Sequence, residues 1–265
     1  MQSRNDSQIA MNDMFRSFVE MRKQPAAVAG MREERMPFRI KLVRSDDDLN
    51  KAVSIRHAAY ARHVPQFAAG LTAPEAMDYE DSTVVLLAES RIDASPIGTM
   101  RVRTNRNAPL ALEQSVKLPE HLEFASLAEA TRLGVAQGRM GTVVKTMLFK
   151  AFFQYCQQTG IEWIVIAARS PLDRQYEDML FEDLYPDAGY IPMKHGGGIP
   201  HRVLALDVVN VQSIWAEAKH PLYNFIFETR HPDIDLGAAT TPLTLPAAKR
   251  AVPLELSQIR VAGNA

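Results

Sequence analysis

Ser126-Leu-Ala-Glu-Ala-Thr-Arg-Leu-Gly-Val-Ala136, then Gln137-Gly-Arg-Met-Gly-Thr142, a run to Gly160, and Ile161-Glu-Trp-Ile-Val-Ile-Ala-Ala168 read as strand, tight basic turn, helix and strand. In the third piece Val144, Met147, Leu148, Ala151, Phe152, Tyr155 and Cys156 recur at helical spacing and form one apolar stripe. Thr142 is placed to cap its start, and Gly160 stands where a left-handed stop residue belongs. Trp163 to Ala168 is almost continuously apolar, as in a strand covered on both faces, so the three pieces predict a parallel βαβ unit. The turn 137–142 then lies between a strand end and a helix start, where unpaired amides and the helix dipole attract anions. Gly138 and Gly141 permit close backbone approach and Arg139 adds a forked charge, so a phosphate-bearing ligand fits there. An ordinary surface turn would also read this way.

Length and charge narrow the remaining possibilities. The chain has 265 residues, enough for one substantial core with appendages, and a net charge of −1, which offers no strong field for unspecific binding to nucleic acid. No apolar run reaches membrane-spanning length and the amino terminus lacks a secretory pattern, so the expected location is cytoplasmic. The single cysteine, Cys156, falls on the apolar stripe and reads as core. His195 and His201 flank a glycine loop with no carboxylate or cysteine nearby in sequence, so no metal site is expected.

Three segments emerge along the chain. Residues 1–36 read as an amphipathic arm on a tether, able to dock on the domain, a partner subunit or, less readily, a membrane surface. Residues 37–235 form the domain, and 236–265 a loosely ordered tail. Within the domain, 38–43 alternates as a half-buried strand, and Ser45-Asp-Asp-Asp48 opens a helix to about Arg62 that places Arg56 and Tyr60 on one face. Residues 65–81 read as a loop carrying Asp78-Tyr-Glu-Asp81. The strands 83–88 and 97–104 make a hairpin on which Arg101 and Arg103 share a face. After an irregular stretch, 105–124, and the βαβ unit, a helix starts at Pro171, a closing antiparallel pair spans 189–192 and 202–208, and short helices are expected near 211–218 and 222–229.

This order of elements resembles the GNAT acyltransferase fold: mixed α/β, with a central sheet splayed between two parallel strands and helices on its flanks. The resemblance extends to particular residues over about 38–235. Arg56 with Tyr60, Asp78 with Asp81, Gly98-Thr-Met-Arg101 and Glu129-Ala-Thr-Arg132 look like the polar signature of bacterial autoinducer synthases. Glu129 to Val135, Arg139, His220-Pro-Leu-Tyr-Asn-Phe and Arg230-His-Pro-Asp-Ile234 are more similar to the N-acyl amino acid synthases. Autoinducer synthases carry a tryptophan after the first helix where this chain has Gln66-Phe67, which favours an amino acid over S-adenosylmethionine as acceptor. The phosphate turn lacks the complete glycine pattern of acetyl-coenzyme A enzymes, which suits the single phosphate of a pantetheine arm.

The resemblance implies transfer of a long fatty acyl chain from an acyl carrier protein thioester to an amino acid's amine, with no bound cofactor and acyl-coenzyme A as the other donor. Autoinducer synthesis, acetylation from acetyl-coenzyme A and a silent acyl-binding module are the competing readings. Glu129 is the candidate base, because a strand of small and apolar residues should desolvate it and raise its pKa; simple pairing with an arginine is the alternative. Residues three apart on a strand face opposite ways, so Glu129 and Arg132 meet only across a bulge, which members of this fold commonly have there. By the same resemblance Tyr176 is the candidate acid, and Arg56, Tyr60, Asp78, Asp81, Arg101 and Arg132 bind substrate. Gly138, Arg139, Gly141 and Thr142 hold the phosphopantetheine. Met100, Met147, Phe149, Phe152, Phe153 and Trp163 are candidate tunnel walls, and Arg139, Lys145 and Lys150 a docking patch for the acidic carrier.

Overall fold

Phe38, Ile40 and Leu42 are buried while Arg39 between them faces out, so the alternation legible in the sequence makes a strand with one face on the core. The computed structural model describes residues 31–237; most of the arm and nearly all of the tail lie outside the described residues. The strands are β1 (Arg32–Glu33), β2 (Phe38–Leu42), β3 (Thr83–Ser90), β4 (Pro96–Thr104), β5 (Leu127–Val135), β6 (Trp163–Ala168), β7 (Glu182–Asp183), β8 (Ile191–Met193), β9 (Ile199–Asp207), β10 (Thr229–Arg230) and β11 (Ile234–Asp235). The helices are α1 (Asp46–Ala61), α2 (Pro65–Ala68), α3 (Arg139–Thr159), α4 (Leu172–Glu177) and α5 (Val211–Glu217).

The main sheet runs β11-β2-β3-β4-β5-β6-β9-β7, with β8 paired to β9 as the expected closing hairpin. Only β11 with β2 and β5 with β6 are parallel in it. One face carries α3: Val144, Met147, Leu148, Ala151 and Phe152 pack against Leu86, Met100, Val102 and Ala128. Each of the larger side chains among them contributes about 1.5–3 kcal/mol. Half of the opposite face is covered by α1, through Leu49, Ala52 and Val53 on Val85 and Leu87. Its other half is covered by the segment Leu110 to Leu122, whose leucines meet Leu127, Val165 and Val203.

The boundaries depart from expectation in several places. Gly138, at φ 82°, occupies the cap of α3, which begins at Arg139 with no side chain capping it. Thr142 lies one turn inside and its own carbonyl accepts from Thr146, so it does not cap the helix. Gly160 does end it, at φ 70°. The loop 65–81 contains α2 and a 3-10 turn at Ala76–Tyr79. Residues 224–228 wind as a π-helical turn into β10 rather than a regular helix. Residues 32–33 of the expected arm pair in parallel with β10.

Lys150 is fully buried, its ammonium donating to the carbonyls of Phe225 and Thr229 and lying 3.0 Å from His231 Nδ1. It anchors the β10 region to α3 and is absent from any surface patch, which removes it from the expected docking face. Burial pushes its pKa down to about 8.

Candidate active site

The parallel pairing of β5 with β6 stops early. Leu127, Ala128 and Glu129 pair with Trp163, Ile164 and Val165, after which β5 continues to Val135 and β6 to Ala168 without each other. The sheet is therefore split beyond Glu129. The physical cause lies on the other edge of β5: Arg101 pairs with Thr131 but Thr99 with Gly134, so β5 holds one extra residue. Arg132 sits in that bulge at φ 55°, a left-handed conformation that a residue with a long side chain adopts only at a cost.

The bulge turns Arg132 onto the α1 face beside Arg101, whose side chain already points there. Arg56 reaches the same spot from the buried stripe of α1, between Leu49 and Ala59. Two carboxylates meet these three guanidiniums. Asp78 accepts from Arg56 Nη1 and Nη2 at 2.8 and 2.9 Å and from Arg101 Nη1 at 3.3 Å. Its Oδ2 also accepts from the Glu75 amide at 2.8 Å, which fixes the 3-10 turn. Glu75 accepts from Arg132 Nε and Nη2 at 2.7 and 2.6 Å, from Arg101 Nη1 at 3.0 Å and from Arg56 Nη1 at 3.3 Å. Burial alone would raise both carboxyls, but the arginines outweigh it and hold both below the ordinary range. Three cations against two anions leave one positive charge over.

Asp81 takes no part. It is exposed beyond the turn, and Glu75, three residues before Asp78 rather than three after, stands among the arginines instead. Tyr60 packs its ring 5.6 Å from Phe67, and Phe67 lies under Arg132 with the guanidinium 5.0 Å from its centre. Phe67 thus closes the cluster on that side.

Glu129 stands at the last paired position before the split and is fully buried. Its Oε2 accepts from the amides of Ala111 and Leu112 at 2.6 and 3.4 Å. Burial pushes its pKa up to about 7, against the pull of those amides and of Arg101 and Arg103. Among the described residues no arginine bonds it. The group facing its second oxygen is His195, with Nε2 at 3.6 Å. The histidine that the sequence showed without carboxylate company has one in space, while the described residues contain no cluster of three or more potential metal ligands.

On the α3 face, Met100, Leu133, Phe149, Tyr176, Met179 and Leu222 are among the walls of a small, mainly apolar pocket with about 60 Å³ of free space. Among the expected tunnel residues, Met100 and Phe149 are there. Met147, Phe152 and Phe153 are sealed in the core, and Trp163 borders a separate hollow with Leu180 and Ile214. Tyr176 is held by ring contact with Phe181 at 5.3 Å, and α4 is held by Arg202, which bonds Asp183 at 2.7 Å and Glu177 at 2.5 Å. Burial, with a smaller contribution from Tyr60, pushes the Tyr176 hydroxyl up to about 12, so it stays protonated. Lys145, at the pocket wall, donates to Gln175, and burial lowers its pKa.

The turn between β5 and α3 keeps its backbone close. A Cβ on Gly141 would stand 1.8 Å from the Ala136 carbonyl, so only glycine fits. Arg139 is exposed at the helix start, and Arg62 Nη2 donates to the Val135 carbonyl at 2.6 Å.

No family model and no curated protein sequence matches the chain. Among solved structures it is similar to FeeM, an N-acyl amino acid synthase from uncultured soil microbes. The TM-score is 0.52 with 18% identity, covering 68% of this chain and 96% of that one. The fold is GNAT-like. Two other solved structures superpose less closely. The coenzyme A-dependent acyl-homoserine lactone synthase BjaI, solved with SAM and isopentyl-CoA, gives 15% identity over 76% of this chain and 97% of that one, at a TM-score of 0.46. Aminoglycoside 6'-acetyltransferase type Ii gives 13% over 63% and 96%, at 0.43. Within this fold Leu133 of β5 lines the apolar pocket on the α3 face, while its neighbour Arg132, in the bulge, joins the arginine cluster on the α1 face.

Proposed function

We propose that the protein is an N-acyltransferase that moves a long fatty acyl chain from an acyl carrier protein's phosphopantetheine thioester to the amine of an amino acid. The observation that carries this reading is the unpaired length of β5 beside β6, with an apolar pocket on one side and a net-positive arginine cluster on the other. A thioester entering along the turn 137–142 would lay its phosphate at Gly138, Arg139 and Gly141 and its tail against Met100 and Phe149. The acceptor's carboxylate suits the forked guanidiniums, which lack one counter-charge. Its amine then lies on the Glu129 side of the thioester carbonyl.

Amide formation breaks the C–S bond, makes a C–N bond and needs the amine free of its extra proton. Glu129, with a pKa near neutrality, draws that proton. The Tyr176 hydroxyl, which burial keeps protonated, would donate a hydrogen bond to the leaving sulfur. Of the three cations expected at a carrier-docking face, Arg139 is the exposed one.

The test is incubation of the purified full-length chain with a long-chain acyl carrier thioester and either an amino acid mixture or S-adenosylmethionine, followed by mass spectrometry. An N-acyl amino acid is the expected product. Acyl lactone as the sole product, or acetylation from acetyl-coenzyme A with no response to long acyl thioesters, overturns the reading.

A further inference from the structure

Glu129 has no direct way out. Its side chain has no exposed surface, its Oε2 is taken by the Ala111 and Leu112 amides, and its Oε1 has no hydrogen-bond partner. A buried carboxylate oxygen left without a partner is costly, so its orientation calls for a reason. What faces it is the His195 ring, with Nε2 3.6 Å away and 9% of the side chain exposed. The other ring nitrogen, Nδ1, is buried without a partner, which leaves Nε2 as the atom able to exchange protons.

The rest of the hairpin turn is held beside the arginine cluster. Arg132 Nη2 donates to the His195 carbonyl at 3.3 Å, the Lys194 amide donates to Ser115 Oγ at 2.9 Å, and Gly197 at φ 72° packs against the Phe67 ring. A carboxylate gripped by Arg132 would hold its α-amine beside the same turn.

We infer that His195 is a catalytic residue: Nε2 takes the proton of the acceptor's ammonium and passes it to Glu129 Oε1, so the sealed carboxylate works only through the imidazole. The inference rests on the acceptor chemistry proposed above. One ammonium N–H bond breaks as the proton joins Nε2, and the same proton then moves to Oε1, which returns the ring to neutrality. The freed amine's lone pair forms the C–N bond while the carbonyl pair moves onto oxygen. On collapse the C–S bond breaks, its pair leaves with sulfur, and the second nitrogen proton goes to the thiolate. The proton stored on Glu129 leaves by the reverse path. The order of proton affinities favours the second transfer, from ring to carboxylate: burial, with the charges of Arg132, His201 and Arg101, pushes His195 down to about 4, while Glu129, flanked also by Arg103, stands near 7.

The test uses the full-length chain and its His195→Asn and Glu129→Gln variants. With an amino acid acceptor, H195N should lower kcat about 100-fold with less than a threefold change in KM for the acyl thioester. With hydroxylamine, an amine already neutral at pH 7, it should lose less than threefold. Independently of turnover, the His195 Cε1 signal in a carbon-13 NMR titration should show an inflection near pH 7 from ionisation of Glu129, and E129Q should abolish it. Equal loss toward both amines, wild-type rates in H195N, or an inflection absent or unchanged in E129Q overturns the inference. Amide formation by wild type and H195N alike spares the proposed function and removes only the relay. A wild-type chain that makes no amide but keeps the inflection removes the acceptor chemistry and keeps the coupled pair.

Discussion

Arg132 grips Glu75 through both carboxylate oxygens, at 2.7 and 2.6 Å, from a backbone at φ 55°. The bulge that splits the sheet and the fork that would receive a substrate are thus the same residue. Glu75 keeps 24% of its side chain exposed, and it occupies the guanidinium edge to which a substrate carboxylate would bind.

Arg132→Gly separates these two roles. Glycine adopts the left-handed bulge freely, offsetting about 1–2 kcal/mol of backbone cost, while the fork is lost. The variant should fold, with a melting temperature within a few degrees of wild type, and its KM for the amino acid acceptor should rise at least tenfold. Arg132→Val, branched at a position with positive φ, should fail to express as folded protein. Circular dichroism and acceptor saturation curves check both.

Gly138→Ala and Gly141→Ala probe the phosphate turn differently. A Cβ at Gly138 meets nothing within 4 Å, so the cost there is the strain of φ 82°, about 1 kcal/mol. A Cβ at Gly141 collides with the Ala136 carbonyl and forces the turn open. G138A should keep most of the affinity for a phosphopantetheine thioester, and G141A should lose at least tenfold, read by titration calorimetry.

The raised pKa of Glu129 sets a sign for stability. Its folded value, about 7, exceeds the ordinary 4.5, so the folded state holds the proton more tightly. Stability from this group is fully present below pH 4.5, declines as pH rises to about 7 and stays at the lower level above, by about 3 kcal/mol. Glu129→Gln should remove that decline from urea midpoints measured between pH 5 and 8. The catalytic rate of the wild type should rise through the same window as the base ionises.

Lys150→Met should destabilise without touching the chemistry. The carbonyls of Phe225 and Thr229 would lose their buried donor, a cost of about 3 kcal/mol in urea unfolding. At temperatures where it remains folded, kcat should stay within twofold of wild type.

The strands, α3 and the closing hairpin were legible because each carries a period that burial enforces: two for Phe38 to Leu42, near 3.6 for Val144 to Cys156. The bulge at Arg132 was legible only as a condition, since no residue type marks it and the register shift belongs to the pairing with β4. Glu75 was missed and Asp81 chosen because both stand three from Asp78, and a 3-10 turn decides which side faces the arginines. The only local sign was Glu75-Ala-Met-Asp78 after Pro74, which reads as a capping box. His195 was set aside as a metal ligand and not considered as a carboxylate's neighbour, because Glu129 lies far away in sequence and meets it only when the β8–β9 hairpin folds onto the Ala111–Gln114 turn. Lys150, on a helix of otherwise apolar buried positions, looked like a surface cation because the carbonyls that receive it come from residues 225 and 229.

A crystal structure of the chain with a hydrolysis-resistant long-chain acyl-pantetheine tests the central proposal most directly. The account predicts the sulfur position between residues 130–135 and 166–168, the carbonyl on the side of Glu129 and Arg132, and the alkyl tail along Met100, Phe149 and Tyr176. An acyl chain bound in the hollow beside Trp163 and Ile214, or lying on the surface with β5 and β6 closed against each other, would contradict it.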